Sequence, residues 1–118
     1  WFGFEAVHGL KGLPNEILAI PLWGHTRGHA AIAVEGPNGW LLHAGDAYFD
    51  AHTVDPAQPK GPGIVRQFER LVAVDRAQVA ANHARLAELV AVHGGPEGEV
   101  SVFSAHDPRE LERLRALA

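Results

Sequence analysis

Three short apolar runs in this chain each lead into side chains that bind metals, and this restricts the fold more than any other feature. Pro21-Leu22-Trp23 runs into Gly24-His25-Thr26-Arg27-Gly28-His29. Leu41-Leu42-His43-Ala44-Gly45 runs into Asp46. Val100 to Ser104 runs into Ala105-His106-Asp107. A strand delivers its last side chains to one edge of a sheet, so pairing these runs in one sheet brings His29, Asp46 and His106 toward a common edge. Imidazole nitrogen combined with carboxylate oxygen suits a zinc-class divalent ion.

Composition narrows what surrounds such a site. At 118 residues the chain fits one small domain or part of a larger one, and a hydrophobic fraction of 47% is enough to build a core. The net charge of -4 and the lack of a Lys/Arg run argue against a nucleic-acid surface. No apolar stretch is long enough to span a bilayer, so no membrane partner is expected. With no cysteine, disulfides and thiolate metal sites are excluded, and a cytoplasmic location is compatible. The chain opens on Trp1 and contains no methionine. From this we expect a processed or excised start within a longer parent chain.

The order of elements reads as α/β. Residues Trp1 to Asn15 form a loop or edge strand. Glu16 to Trp23 suits a strand, with Pro21 placing it at an edge or bulge. Ala30 to Val34 and Trp40 to His43 form a hairpin around Gly36-Pro37-Asn38-Gly39. Tyr48 to Gly63 is a long loop. Ile64, Val65, Phe68, Leu71 and Val72 then recur at helical spacing. Asp75 caps a helix that runs to His93 and stops at Gly94-Gly95, with Gln78 completing a capping box and Val74 facing Val79. Val100 to Ser104 is a strand, and Asp107-Pro108-Arg109-Glu110 opens a last helix with Leu111 and Leu114 on its apolar face. So few elements leave one sheet face incompletely covered.

Each candidate also has a plainer explanation. His25 and His29 lack an intervening glutamate and sit among glycines, so the helical zinc motif does not apply. In an extended loop one of the two reaches a given ion; a polar turn with two solvated histidines remains open. Asp46 after Gly45 fits a turn carboxylate or a ligand at the mouth of a sheet. His106 is a loop histidine beside a cap or a ligand held neutral by the helix N-terminus. His43 reads as a buried, hydrogen-bonded strand residue, and His83 and His93 as solvated helix residues. His8 and His52 lie in loops that could border a cleft. The Tyr48 hydroxyl either points into the cleft or packs at the strand end.

Taken together, and in this order, His25-Thr26-Arg27-Gly28-His29, Leu41 to Asp46 and Phe103 to Asp107 resemble the second half of the metallo-β-lactamase-fold hydrolases. The resemblance runs from about Glu16 to Asp107, with Arg27 standing where the family often has proline. It implies that residues 1–118 are a partial domain, the C-terminal half of an αββα sandwich. It also implies that His29 and His106 bind metal, that Asp46 bridges two ions as the catalytic carboxylate, and that His25 supports. The implied cofactor is zinc, two ions in the intact domain. The implied activity is hydrolysis of an ester, lactone, thioester or related bond of a small molecule by a hydroxide held between the ions. The family's His-x-His-x-Asp-His motif is absent from these residues, so this stretch alone is expected to be inactive. The alternative is a non-catalytic binding or structural module that lacks the first metal site.

Overall fold

The computed structural model describes residues 1–117. Its strands are β1 (Ile17–Pro21), β2 (Ala30–Gly36), β3 (Gly39–His43) and β4 (Val100–Phe103). Its helices are α1 (Gly63–Val72), α2 (Arg76–His93) and α3 (Pro108–Leu117), with a short 3₁₀ turn at Ala51–Thr53. The strands form a single sheet in the order β1-β2-β3-β4. The first two pairings are antiparallel and β3 pairs with β4 in parallel. A parallel pair needs a long crossover, which here carries both α1 and α2.

Local chemistry accounts for the element ends. Gly36 pairs with Gly39, closing the β2–β3 hairpin around Pro37 and Asn38. β1 lies at the sheet edge, where the missing N–H of Pro21 breaks no ladder. An isolated bridge from Val7 to Ala19 covers part of that edge. Asp75 caps α2 by accepting from the Gln78 N–H at 3.0 Å. The reciprocal half of the capping box does not form. The Asp75 N–H donates instead to the Gly24 carbonyl at 2.8 Å, and the Gln78 amide reaches Asn82. The cap is thus traded for a contact that ties α2 to the loop after β1. At the other end, the Gly94 N–H donates to the Val90 carbonyl and α2 stops.

Strand alternation then separates the two faces of the sheet. Leu18, Ala33, Leu42 and Val102 share one row across the four strands, and Ile20 and Ala31 share the next. All six are buried, together with Leu86 and Leu89 of α2 and with Phe4 and Val54. On the opposite face Ile17, Val34, Leu41 and Ser101 form one row, and Ala19, Ile32, His43 and Phe103 the next. Ile32 and Val34 there are each 38% exposed and Leu41 is 44% exposed. This is the incompletely covered face that the element order leads one to expect. α1 shows the same openness, since Ile64, Phe68 and Leu71 are exposed and Glu69 is its buried residue.

Candidate metal-facing site

The loop between β1 and β2 is built around His29. The Leu22 N–H donates to the His29 carbonyl at 3.0 Å, closing the loop. The His29 ring lies with Nδ1 2.8 Å from the Leu22 carbonyl, so Nδ1 carries the proton and donates. Nε2 is then a free acceptor and receives the Asp46 N–H at 2.9 Å. Both ring nitrogens are used, and the imidazole bolts the histidine loop to the turn after β3. Gly45 makes the contact possible. Its φ is +59°, and a Cβ at this position would stand 2.7 Å from His29 Nε2. The residue before Asp46 must therefore be glycine for both reasons.

Asp46 has an imidazole at each oxygen. His106 Nε2 lies 2.7 Å from Oδ1, and His25 Nε2 lies 3.4 Å from Oδ2. The aspartate and His106 side chains remain about 40% exposed, while His25 is mostly covered. Phe49 roofs the cluster, its ring centroid 4.0 Å from that of His106 and 5.7 Å from that of His25. Gly24, next to His25, has φ +140°, and a Cβ there would meet the Val79 backbone nitrogen of α2 at 2.9 Å. The first turn of α2 thus presses directly on the loop that presents His25.

The structure brings the side chains of Asp46 and His106 together and turns the two loop histidines differently. It is His25 whose Nε2 faces the carboxylate, while His29, the expected ligand, spends both nitrogens on hydrogen bonds. The donor set of imidazole and carboxylate suits a zinc-class ion. The buried Nδ1 of His25 has no hydrogen-bond partner, so its tautomer is not committed to a second group. These donors close on one another rather than around a centre: among the described residues no group of three or more His, Cys, Asp or Glu side chains is arranged to hold a metal ion.

Behind the cluster lies a buried polar layer. Tyr48 does not point into the cleft; its hydroxyl donates to Glu110 Oε1 at 2.7 Å. The other Glu110 oxygen accepts from the Ser104 N–H at 2.8 Å and from the Ser104 hydroxyl at 3.0 Å. Burial raises the acid pKa values of both Tyr48 and Glu110 above their ordinary ranges. Asp107 accepts from the Ala51 N–H at 3.0 Å and from the Arg109 guanidinium at 2.6 Å. Chiefly through the Arg109 side chain, its carboxyl is held down at about 2. The layer joins the loop after Asp46 to the end of β4, on either side of the Asp46–His106 pair.

The remaining histidines fall outside the cluster. His43 lies on the open sheet face against Phe103, not buried as its strand position suggested. His83 is not solvated; its Nε2 lies 2.6 Å from Glu69 and 2.9 Å from the Ala47 carbonyl. His93 pairs with Glu99 at 2.7 Å. His52 Nδ1 lies against the Gln58 carbonyl. His8 is exposed.

This fold, with its histidine loop and Gly-Asp turn on one edge, is part of the metallo-β-lactamase fold. Over all 118 residues it is 36% identical to a protein named probable metallo-hydrolase from Mycobacterium bovis and equally to one from Mycobacterium tuberculosis. It spans 37% of the length of these curated relatives. Among solved structures, an N-acyl homoserine lactone hydrolase with N-hexanoyl-L-homoserine at its catalytic metal centre matches 90% of this chain and 36% of its own. That match has a TM-score of 0.57 at 17% identity. A Bacillus thuringiensis AiiA variant with N-decanoyl-L-homoserine at its active site matches at the same TM-score and identity. No protein-family profile matches the chain. None of the described helices is long and apolar enough to cross a membrane.

Proposed function

We propose that the whole protein is a metal-dependent hydrolase of small molecules, and that this chain supplies Asp46, His106 and His25 to its metal centre. The observation that supports this reading is the placement of one imidazole Nε2 at each oxygen of a half-exposed Asp46. A zinc-class ion bound there would lower the pKa of a water and polarise the scissile carbonyl of an ester, lactone or thioester. The chain's own residues then do the holding. Asp46 offers two oxygens and so can serve two ions. His106 is kept at the mouth by Phe49 and by the polar layer around Glu110. His29 holds the Asp46 backbone in place by its hydrogen bond and positions without ligating. Three donors do not complete a two-ion site, so the proposal requires further ligands from outside these 118 residues.

Metal analysis of the whole protein tests the assignment. His25→Ala and His29→Ala are compared for zinc content, zinc affinity and turnover of a panel of lactones, esters and thioesters. Loss of a ligand is expected to weaken zinc far more than loss of a positioning residue, for which about 10- to 100-fold is typical. His29→Ala should instead lower the melting temperature, since it removes the bolt between two loops. If His25→Ala keeps wild-type zinc affinity while His29→Ala abolishes it, the assignment of the two histidines is wrong. A second reading, a non-catalytic module, is favoured by the lack of a ready three-ligand group among the described residues. It predicts no zinc binding and no turnover by the whole protein.

A further inference from the structure

One buried carboxylate grips the chain beside both Asp46 and His106. Glu110, in the first turn of α3, is 3% exposed. Its partners are Tyr48, which is fully buried, and Ser104, which is nearly so. Tyr48 stands two residues after Asp46, and Ser104 two residues before His106.

Burying a carboxylate is costly unless both oxygens are hydrogen-bonded, and here both are. Oε1 accepts from the Tyr48 hydroxyl at 2.7 Å, and Oε2 from the Ser104 N–H at 2.8 Å and hydroxyl at 3.0 Å. The Ser104 hydroxyl has one proton, and Glu110 takes it. Its lone pairs are thereby turned to the residues that follow, where the N–H groups of His106 and Asp107 each approach it at 3.4 Å. Glu110 thus orients, through Ser104, the backbone that carries the His106 side chain. At the other strand end the Tyr48 hydroxyl holds the chain just past Asp46. Ahead of both, the Ala105 N–H donates to the Gly45 carbonyl at 2.9 Å and joins the two turns directly. The pair is therefore anchored from behind while its own side chains stay half-exposed, His106 Nε2 2.7 Å from Asp46 Oδ1.

We propose that Glu110 is a positioning residue for the Asp46–His106 pair, with Tyr48 and Ser104 as its two arms, and that it thereby sets the metal affinity of this edge. The second half of the proposal rests on the metal-centre reading above. Without the anchor, the two turns must be ordered as an ion binds, and that lost freedom is subtracted from the affinity. Removing Glu110 therefore weakens the metal although no ligand is removed.

Zinc affinity of the whole protein, measured by competition with a chromophoric chelator, tests this beside the unfolding midpoint of the metal-free protein. Glu110→Ala is expected to weaken zinc by about tenfold or more, the scale on which outer partners of metal ligands act. Tyr48→Phe and Ser104→Ala each remove one hydroxyl and should act in the same direction by less; they decide the matter should Glu110→Ala not fold. Glu110→Gln should recover most of the loss, since its amide oxygen can accept from Ser104 and its NH₂ group can donate to the Tyr48 oxygen. Leu86→Val, a core change that removes none of these hydrogen bonds, should lower the midpoint and leave zinc affinity unchanged. A second readout needs no metal. The Phe49 and His106 rings, 4.0 Å apart between centroids, should give a nuclear Overhauser effect in the metal-free wild type that Glu110→Ala loses. If the wild type binds no zinc, the metal-centre reading fails, and the ring contact still decides whether Glu110 positions His106. Zinc affinity unchanged in all the Glu110, Tyr48 and Ser104 variants, an equal loss in Leu86→Val, or a ring contact that does not depend on Glu110 overturns the proposal.

Discussion

The two faces of the sheet come from the same strands and differ in what lies against them. On one, Leu18, Ile20, Leu42 and Val102 are closed over by α2 through Leu86 and Leu89. On the other, Ile32, Val34 and Leu41 are as apolar but more than a third exposed. A sheet that meets water on one side alternates apolar and polar residues; this one places apolar residues in both alternating positions, as strands covered on both faces do. The open face is thus written as an interior. The αββα architecture covers both faces of its sheets, and this chain spans just over a third of its relatives' length.

The largest expected effect lies on the closed face. Leu86 is fully buried, so Leu86→Ala should cost about 2–5 kcal/mol in urea unfolding. The matching change on the open face, Leu41→Ala, should cost less, about 1 kcal/mol in the isolated chain, because nearly half of that side chain is already wet. Measured in the whole protein, the second value should rise toward the first. If Leu41→Ala remains nearly neutral there, the open face is not an interior and the comparison fails.

Next in size is acid. The folded pKa of Asp107, about 2, lies below its ordinary 3.8. A depressed carboxyl contributes stability above its unfolded pKa, and this is lost as pH falls through the folded value. About 2 kcal/mol should therefore disappear between pH 4 and pH 2, and Asp107→Asn should flatten that part of the profile. Glu110, raised by burial, acts in the opposite sense: its contribution is greatest at low pH and declines as pH rises above the ordinary glutamate range. Stability measured against pH for Asp107→Asn and for Glu110→Gln separates the two.

The smallest effect concerns association. Exposed apolar surface of this kind drives self-association. Val34→Lys on the open face should reduce the sedimentation-detected oligomer of the isolated chain while leaving its melting temperature within a degree or two, on the scale of a surface substitution. If it unfolds the chain instead, Val34 is more deeply engaged than its exposure indicates.

Much of the fold was legible because it depends on short-range chemistry. The hairpin at Gly36 to Gly39, the Asp75 cap, the stop at Gly94 and the edge position of β1 follow from turn residues, capping oxygens and a proline, and each appears where the residues place it. The approach of Asp46 and His106 was legible as strand ends sharing an edge. Which of His25 and His29 turns its Nε2 toward the Asp46 carboxylate was not. Four residues apart in a glycine-flanked loop, they are equivalent until the Leu22 carbonyl and the Asp46 N–H claim both nitrogens of one ring. Tyr48 was equally ambiguous, since its partner Glu110 is 62 residues away. What the sequence by itself determined, then, is local: where strands and helices begin and end, and which chemistry stands at their ends. Only the tertiary structure decided which nitrogen meets which oxygen, because a hydrogen bond is settled within a few tenths of an ångström and sequence spacing carries no such distance.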